Sequence, residues 1–453
     1  MLETAAPPLG RSAEGHVDLS PHFARVTDDP LRDAFDDARR PHPPTGAAAV
    51  PEEEVPAAWE ARLDAPRQGP GTAYVHIPFC AQRCLYCGFY QNPWRAERGP
   101  WYVDRLIAEL DRLDGRPALE GPPLRALYLG GGTPTALAPR DLARLLDAAR
   151  ARLPLAPDCE ITLEGRVGDL DPDRLRAAVD AGVNRVSLGV QTFDTEVRRA
   201  LGRRDAREQV VATLERLVAA DFGAVVIDLI YGLPGQTVET WKEDLRLVCA
   251  LGIDGVDLYS LALIPGTPLL RAMEKGRARP ADRATLGALY REGYEALERE
   301  GWEPISTTHW RSPSLRERSV YNFEVKTGAD YFGIGAGAGG SLGGWGFRVE
   351  SKLERYAERV QGGACPVASM TRPSARAPIV HRLRAGMERG RLDPARVASV
   401  PDGAAAMARL EPLLEQWREA GLLVRRHRFH DLTVAGRFWQ VQMTQRLIQA
   451  VNA

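Results

Sequence analysis

The sequence predicts an α/β fold: a partial (βα)6 barrel of the TIM type, with an N-terminal extension and a small C-terminal winged-helix-like module. Three observations carry this. Between residues 72 and about 270, short apolar runs alternate six times with amphipathic stretches. The runs are near-continuously apolar, as in strands covered on both faces. After about residue 290 the alternation stops and a long glycine-rich segment begins. Such alternation means parallel strands joined by right-handed crossovers, with reactive residues gathered at the C-terminal strand ends.

Residues 1–70 are an extension rich in Ala, Pro and Asp. In it "PHPPTGAAAVPEEEVPAAW" reads as extended or mobile linker, and "DPLRDAFDDARR" as one short helix with Leu31 and Phe35 on one face. Residues 71–290 hold the barrel. "AYVHIPF" is the first strand and "WYVDRLIAELDRL" the first helix; "LRALYLGG" and "PRDLARLLDAARARL" follow, then "EITLEG" and "DPDRLRAAVDAG". "RVSLGVQTF" precedes two helices over residues 194–220, "AVVIDLIYGLPG" precedes "VETWKEDLRLVCALG", and "GVDLYSLALIPG" closes the series. Residues 291–370 contain "GADYFGIGAGAGGSLGGWGFRVES". Residues 371–453 read as helices, a β-hairpin and a final helix, from "ARLEPLLEQWREAGLLVRR" to "LTVAGRFWQVQMTQRLIQA".

Composition bounds the function. A net charge of −1 over 453 residues draws no polyanion, so nucleic acid is not an expected partner. No apolar run approaches the roughly 18 residues of a membrane span, and the N-terminus has no apolar signal core. Cys159, Cys249 and Cys365 are scattered, which fits a reducing, cytoplasmic setting rather than a disulfide framework.

The other three cysteines are crowded. Cys80, Cys84 and Cys87 are spaced C-x3-C-x2-C just after the first strand. Three thiolates on one loop suit a soft metal centre. Zinc in a Cys3His set with His76 is one reading, and three ordinary core cysteines another. A [4Fe–4S] cluster with only three protein thiolates is the third, and leaves one iron open to a small molecule. At the other strand ends, "GGGTPT" is either a turn or a backbone that lets a ligand approach closely. Glu164, Gln191, Arg203, Asp228 and Ala262 are each, taken singly, as compatible with structure as with a site.

C-x3-C-x2-C with Tyr86 before the last cysteine resembles the signature of the radical SAM superfamily. "YVHIPFC" narrows the resemblance to the oxygen-independent coproporphyrinogen dehydrogenase-like branch. The resemblance implies a [4Fe–4S] cluster on Cys80, Cys84 and Cys87 and S-adenosylmethionine (SAM) on its open iron, two SAM molecules in all. It places Tyr74, Phe89, Gly131, Gly132, Thr133, Glu164, Gln191, Arg203, Asp228 and Ala262 among the SAM-binding residues, with Tyr74 and His309 catalytic. Phe89 stands where the coproporphyrinogen enzyme has a fourth nearby cysteine, and Gly165-Arg166 where it has Asn-Pro. A low-potential donor such as flavodoxin or ferredoxin is implied as partner.

"CGFYQN", "LEGR", "HWRSPSLRERSVYN", "GIGAGAGGSLGG" and "LTVAGRFW" resemble most the anaerobic haem-utilisation members, the ChuW/HutW type or anaerobilin synthases. That implies radical-dependent methylation and opening of haem to a linear tetrapyrrole with release of iron. Coproporphyrinogen III dehydrogenation, another radical SAM tetrapyrrole step, or a haem-binding carrier are the alternatives. For such a ligand, glycines 333–344 would let backbone lie against a planar ring, or would form a flexible loop. Gly335, Gly337 and Gly340 spell GxGxxG, but no helix follows, so a dinucleotide site is rejected. His309 is a candidate haem-iron ligand or simply a hydrogen-bonded side chain. Arg311, Arg316 and Arg318 would pair with propionates or form a solvated face. Tyr321 and Asn322 are site residues by family likeness only, and His427 and His430 are read as solvated.

Cys84→Ala is expected to abolish the brown chromophore of the anaerobically reconstituted protein, and Cys249→Ala to leave it intact. Iron and inorganic sulfide assays check this.

Overall fold

Six predicted strands line up side by side in the computed structural model, which describes residues 18–36 and 47–452. They are β1 (Gly71–Ile77), β2 (Leu124–Gly131), β3 (Leu155–Gly165), β4 (Arg185–Gln191), β5 (Ala224–Tyr231) and β6 (Gly255–Ser260), each parallel to the next. The connecting helices are α1 (Arg98–Leu113), α2 (Pro139–Arg152), α3 (Pro172–Asp180), α4 (Thr195–Ala200), α5 (Arg207–Ala219) and α6 (Val238–Ala250). Helix α7 (Arg283–Arg299) follows β6.

Register decides which residues look inward. Successive side chains of a strand point to opposite faces. On one face lie Val75, Leu127, Leu129, Leu163, Val186, Leu188, Ile227, Leu229 and Val256, all fully buried. Leu258, of the same parity, meets Gly293 of α7, so this is the helix-covered face. The opposite face carries Tyr74, His76, Tyr128, Thr162, Glu164, Arg185, Ser187, Asp228 and Asp257. The expectation of strands apolar on both faces is therefore corrected. They alternate, and the inner face is polar and aromatic.

Beyond β6 the chain adds strands at both edges. β7 (His309–Arg311) runs antiparallel to β6. Helix α8 (Val320–Lys326) leads to β8 (Asp330–Ile334), which pairs parallel to β1. β9 (Gly339–Leu342), β10 (Trp345–Val349) and β11 (Val367–Arg372) continue as an antiparallel meander. The 13-stranded sheet begins and ends on two-residue strands, Ala48–Ala49 and Glu303–Pro304, and does not close.

The glycine-rich segment is thus largely built into sheet rather than a flexible loop. A Cβ on Gly333 would lie 2.1 Å from the Gly339 carbonyl oxygen, and one on Gly340 would lie 2.0 Å from the Phe347 ring. Internal packing consumes these glycines. Phe347 in turn meets Trp59, 4.6 Å between ring centroids, from the helix Val55–Leu63.

That helix lies where linker was expected, and the four-part division is redrawn with it. Residues 48–372 form one compact unit. The described residues before 48 form the other together with the chain from Pro373 onward. The linker expected over residues 41–46 lies outside the described residues. In the second unit, Trp439 donates its indole N–H to the Pro30 carbonyl (3.0 Å) and packs edge-on to Phe35. Its elements run helix Ala377–Arg389, strand Arg391–Leu392, helices Pro394–Ala398 and Gly403–Glu419, the hairpin Leu423–Arg426 with Phe429–Leu432, and helices Val434–Phe438 and Gln440–Asn452. His427 at the hairpin turn is exposed, but His430 is buried, contrary to expectation. No described helix is long and apolar enough to cross a membrane.

Leu188→Ala, on the helix-covered face, is expected to cost about 2–5 kcal/mol in denaturant unfolding. Val424→Ala, exposed in the hairpin, should cost less than about 0.5 kcal/mol.

Candidate active site

The loop after β1 is fastened before it can serve as a ligand. Asn92 N–H returns to the Pro78 carbonyl (3.2 Å), and Trp94 N–H to that of Cys80 (2.9 Å). Leu85 bonds through its N–H to Leu201 O (3.1 Å), and its carbonyl accepts from Leu269 N–H (2.9 Å). Between these ties stand Cys80, Cys84 and Cys87, all partly exposed free thiols. Phe89 N–H points at Cys87 Sγ (3.3 Å), and an Arg203 Nη1–H at Cys84 Sγ (3.5 Å). Burial raises the Cys80 and Cys87 thiols, and each of them also feels the charge of Cys84.

These features test the fit to a metal centre. Among the described residues no group of three or more His, Cys, Asp or Glu is placed to hold a metal ion directly. His76 does not join the thiols in such a group; its Nδ1 bonds the Tyr74 hydroxyl (2.9 Å) and its ring lies against Gly131. A cubane cluster asks for something different. It needs separate thiolates around its own body and hydrogen-bond donors aimed at sulfur. The tethered loop, with N–H donors at Cys84 and Cys87, has that donor chemistry.

The inner face supplies the rest. Gly131 has φ +111°, and its N–H donates to Glu164 Oε2 (3.1 Å); a side chain there would strike the His76 ring. Gly132 N–H reaches the Ile77 carbonyl (2.8 Å), so the glycine loop lies against the end of β1, with Thr133 at the Cys80 thiol. Gln191 also takes a left-handed φ of +74°, at a register shift in β4, and its buried Oε1 has no hydrogen-bond partner among the described residues. Thr162 Oγ1 and His76 Nε2 are likewise unpartnered. Asp228 sits directly across from Asp257. Burial, reinforced by the Asp228 carboxylate, pushes Glu164 up to about 8 against the pull of Gly131 N–H. Burial and then Asp257 push Asp228 up to about 7. Two carboxyls that resist ionising, beside orphaned acceptors, make a receptor for a cationic, hydrogen-bonding ligand.

Tyr74 belongs to a stack. Its ring centroid is 6.1 Å from that of Tyr128 and 6.0 Å from that of Tyr321, and those two are 4.7 Å apart. Tyr321 is held there because Glu160 accepts the Val320 and Tyr321 N–H groups (3.1 and 3.3 Å) at the start of α8. Asn322 is spent locally on Ser319. Ala262 is exposed, two residues beyond β6.

Three expectations are corrected. The Phe89 side chain is 68% exposed, and only its backbone faces the cysteines. The aromatic built into the site is Tyr86, whose oxygen accepts from Arg203 (3.3 Å). His309 has no lone pair for iron. Its Nδ1 bonds Asp257 (2.6 Å) and its Nε2 Glu317 (3.2 Å), and these carboxylates outweigh burial and push it up to about 9, so the ring is a cation donating at both nitrogens. Arg311, Arg316 and Arg318 are not free for propionates either. They pair with Glu303, with Asp221 and Asp254, and with Asp158.

Sequence reasoning missed Tyr128, Asp257, Arg185 and Glu317. The signal for the first two was parity: Tyr128 lies two residues before Gly130 and Asp257 two after Gly255, on the inward faces of their strands. Arg185 and Glu317 form an ion pair (3.0 Å), 3% and 0% exposed.

Comparison with known proteins follows the same lines. The radical SAM superfamily profile matches residues 74–248. The chain is 39% identical over 449 residues to the anaerobilin synthase of Escherichia coli O157:H7, covering 98% of each chain. It is 34% identical over 289 residues to the heme chaperone HemW of Lactococcus lactis, covering 64% of this chain and 74% of that one. The solved coproporphyrinogen III oxidase of Escherichia coli shares the fold, with a TM-score of 0.76, 24% identity, and 90% and 96% of the two chains covered.

The shifted groups set a pH dependence. Asp228, Glu164 and His309 all have folded values above their unfolded ones, so the folded state holds extra protons and loses stability as pH rises through about 7, 8 and 9 respectively. Glu317, held down to about 2 because Arg185 and His309 outweigh its burial, acts oppositely and only at acid pH. The melting temperature of the ligand-free protein is expected to fall from pH 6.5 to 9. Glu164→Gln should flatten the fall up to pH 8, and His309→Gln the fall across the whole range from pH 6.5 to 9.

Proposed function

Since the chain belongs to the radical SAM superfamily, we propose that this site opens haem anaerobically to a methylated linear tetrapyrrole and frees its iron. The observation that carries the reading is the end-to-end similarity to anaerobilin synthase, 39% over 98% of both chains. Similarity to a heme chaperone supports a haem-related ligand as well. Cys80, Cys84 and Cys87 would hold the [4Fe–4S] cluster, which together with SAM supplies one-electron cleavage of a sulfonium and so a carbon radical.

The chain's own residues have separable tasks in this reading. Gly131 and Gly132 leave room for the SAM backbone. Glu164 and Asp228, protonated in the ligand-free site, give up protons to meet the cationic groups of SAM. Gln191 and Arg203, with the exposed backbone at Ala262, fit a second SAM molecule that serves as methyl donor. The stacked Tyr74, Tyr128 and Tyr321 form a dry aromatic floor. The Tyr74 hydroxyl, bonded to His76 Nδ1, holds a proton where a reacting group can use it. The electron comes from a low-potential carrier such as flavodoxin or ferredoxin.

Anaerobically reconstituted protein given reductant, SAM and haem is expected to release 5′-deoxyadenosine, free iron and a methylated linear tetrapyrrole, read by mass spectrometry. Asp228→Asn should lower turnover about 10- to 100-fold, the worth of one charge-assisted hydrogen bond. Unchanged haem with turnover on coproporphyrinogen III would overturn the proposal. Stoichiometric haem binding without turnover would overturn it in favour of a carrier.

A further inference from the structure

Arg166 follows β3 directly, two residues after Glu164. Its Nη1–H donates to the Gln82 carbonyl (3.3 Å) and its Nη2–H to Gln82 Oε1 (3.1 Å). Gln82 lies midway between Cys80 and Cys84, and its own amide N–H donates to the Gly202 carbonyl. The middle of the cysteine loop is therefore clamped from two directions. Gly165 makes this possible. A Cβ there would sit 2.4 Å from the Thr135 side chain, while Arg166 N–H bonds Thr135 Oγ1 (3.4 Å). The strand end thus lies close to the Thr135 turn.

The guanidinium also brings a positive charge. It is held at Gln82, two residues from Cys80 and two from Cys84. Across the loop, Arg203 reaches Cys84. Behind both, Arg198 is wholly buried and donates to the Val190 and Thr192 carbonyls (2.7 and 3.0 Å). Asp169 and Asp205 face this group. Three guanidiniums against two carboxylates leave the wall behind the loop positive.

We propose that Arg166 positions the cysteine loop through Gln82 and, by its fixed charge, makes the cluster on that loop easier to reduce. Reduction adds one electron from an external one-electron donor and makes the cluster one unit more negative, with no bond made or broken. A nearby fixed cation stabilises the more negative state more strongly, and most of all where little water screens it. Charge and hydrogen bonding around the sulfurs are established controls on cluster potential. The inference rests on the cluster of the superfamily and is independent of the haem reading.

The test is an EPR-monitored potentiometric titration of the full-length reconstituted protein, with no tetrapyrrole present. Arg166→Gln is expected to keep its iron and sulfide and to show an about tenfold lower reduced-to-oxidised ratio at a fixed poise. That is a midpoint about 59 mV more negative for a one-electron couple. Arg166→Lys, which keeps the charge, and Gln82→Ala, which removes only the clamp, should stay near the parent midpoint. Should Arg166→Gln shed its cluster, Arg166→Lys must retain it. A midpoint unmoved in Arg166→Gln, an equal shift in Gln82→Ala, or a cluster lost alike from both Arg166 variants overturns the assignment.

Discussion

The barrel interior depends on one buried ion pair. Arg185 opens β4 with its side chain on the inner face, and a guanidinium there is intolerable without a partner. Glu317 is that partner, 132 residues further along the chain. To deliver it, the segment after β7 must fold back beneath the strands. The register of β7 on β6 sets His309 opposite Asp257, and the returning segment brings Glu317 to its other ring nitrogen. The result is two cations and two anions in alternation, a balanced column in the floor of the sheet. Burial, with Asp228 beside Glu164 and Asp257 beside Asp228, favours protons on these two carboxyls, and a positively charged ligand suits them.

A second constraint fastens the two ends of the site. Glu109 of α1 accepts from Gly335 N–H (2.8 Å) and from the Tyr356 hydroxyl (2.7 Å). Tyr102, two turns earlier, donates to the His76 carbonyl (2.9 Å) and accepts from Ala336 N–H (2.8 Å). One helix therefore staples the end of β1, where the cysteine loop begins, to the end of β8. Burial pushes Glu109 up to about 7, and its two donors keep it from rising further. The cysteines hang from a frame that Tyr102 and Glu109 bond together.

Much of this was legible in the sequence, and the limits have physical causes. The six strands and their helices could be read because apolar runs and helical spacing are local signals; β2 and α2 fall within a residue of expectation. The cysteine spacing and the glycine loop were legible for the same reason. Long-range partners were not. Nothing near His309 reveals that Asp257, 52 residues earlier, occupies one ring nitrogen. Phe89 was misplaced because the loop is irregular. Without a strand or helix period, sequence neighbours say little about which aromatic turns inward, and Tyr86 is the one that does. The polar inner face was hidden because apolar residues at alternate positions dominate each run and mask the alternation.

The tight β8–β9 hairpin carries a last implication. Gly333 and Gly340 are hemmed in by a carbonyl and an aromatic ring at about 2 Å from where any methyl would stand. Neither position can drift, whatever molecule the enzyme consumes. The absence of a side chain at these two positions is thus a requirement of the hairpin's own packing, set before any ligand is considered.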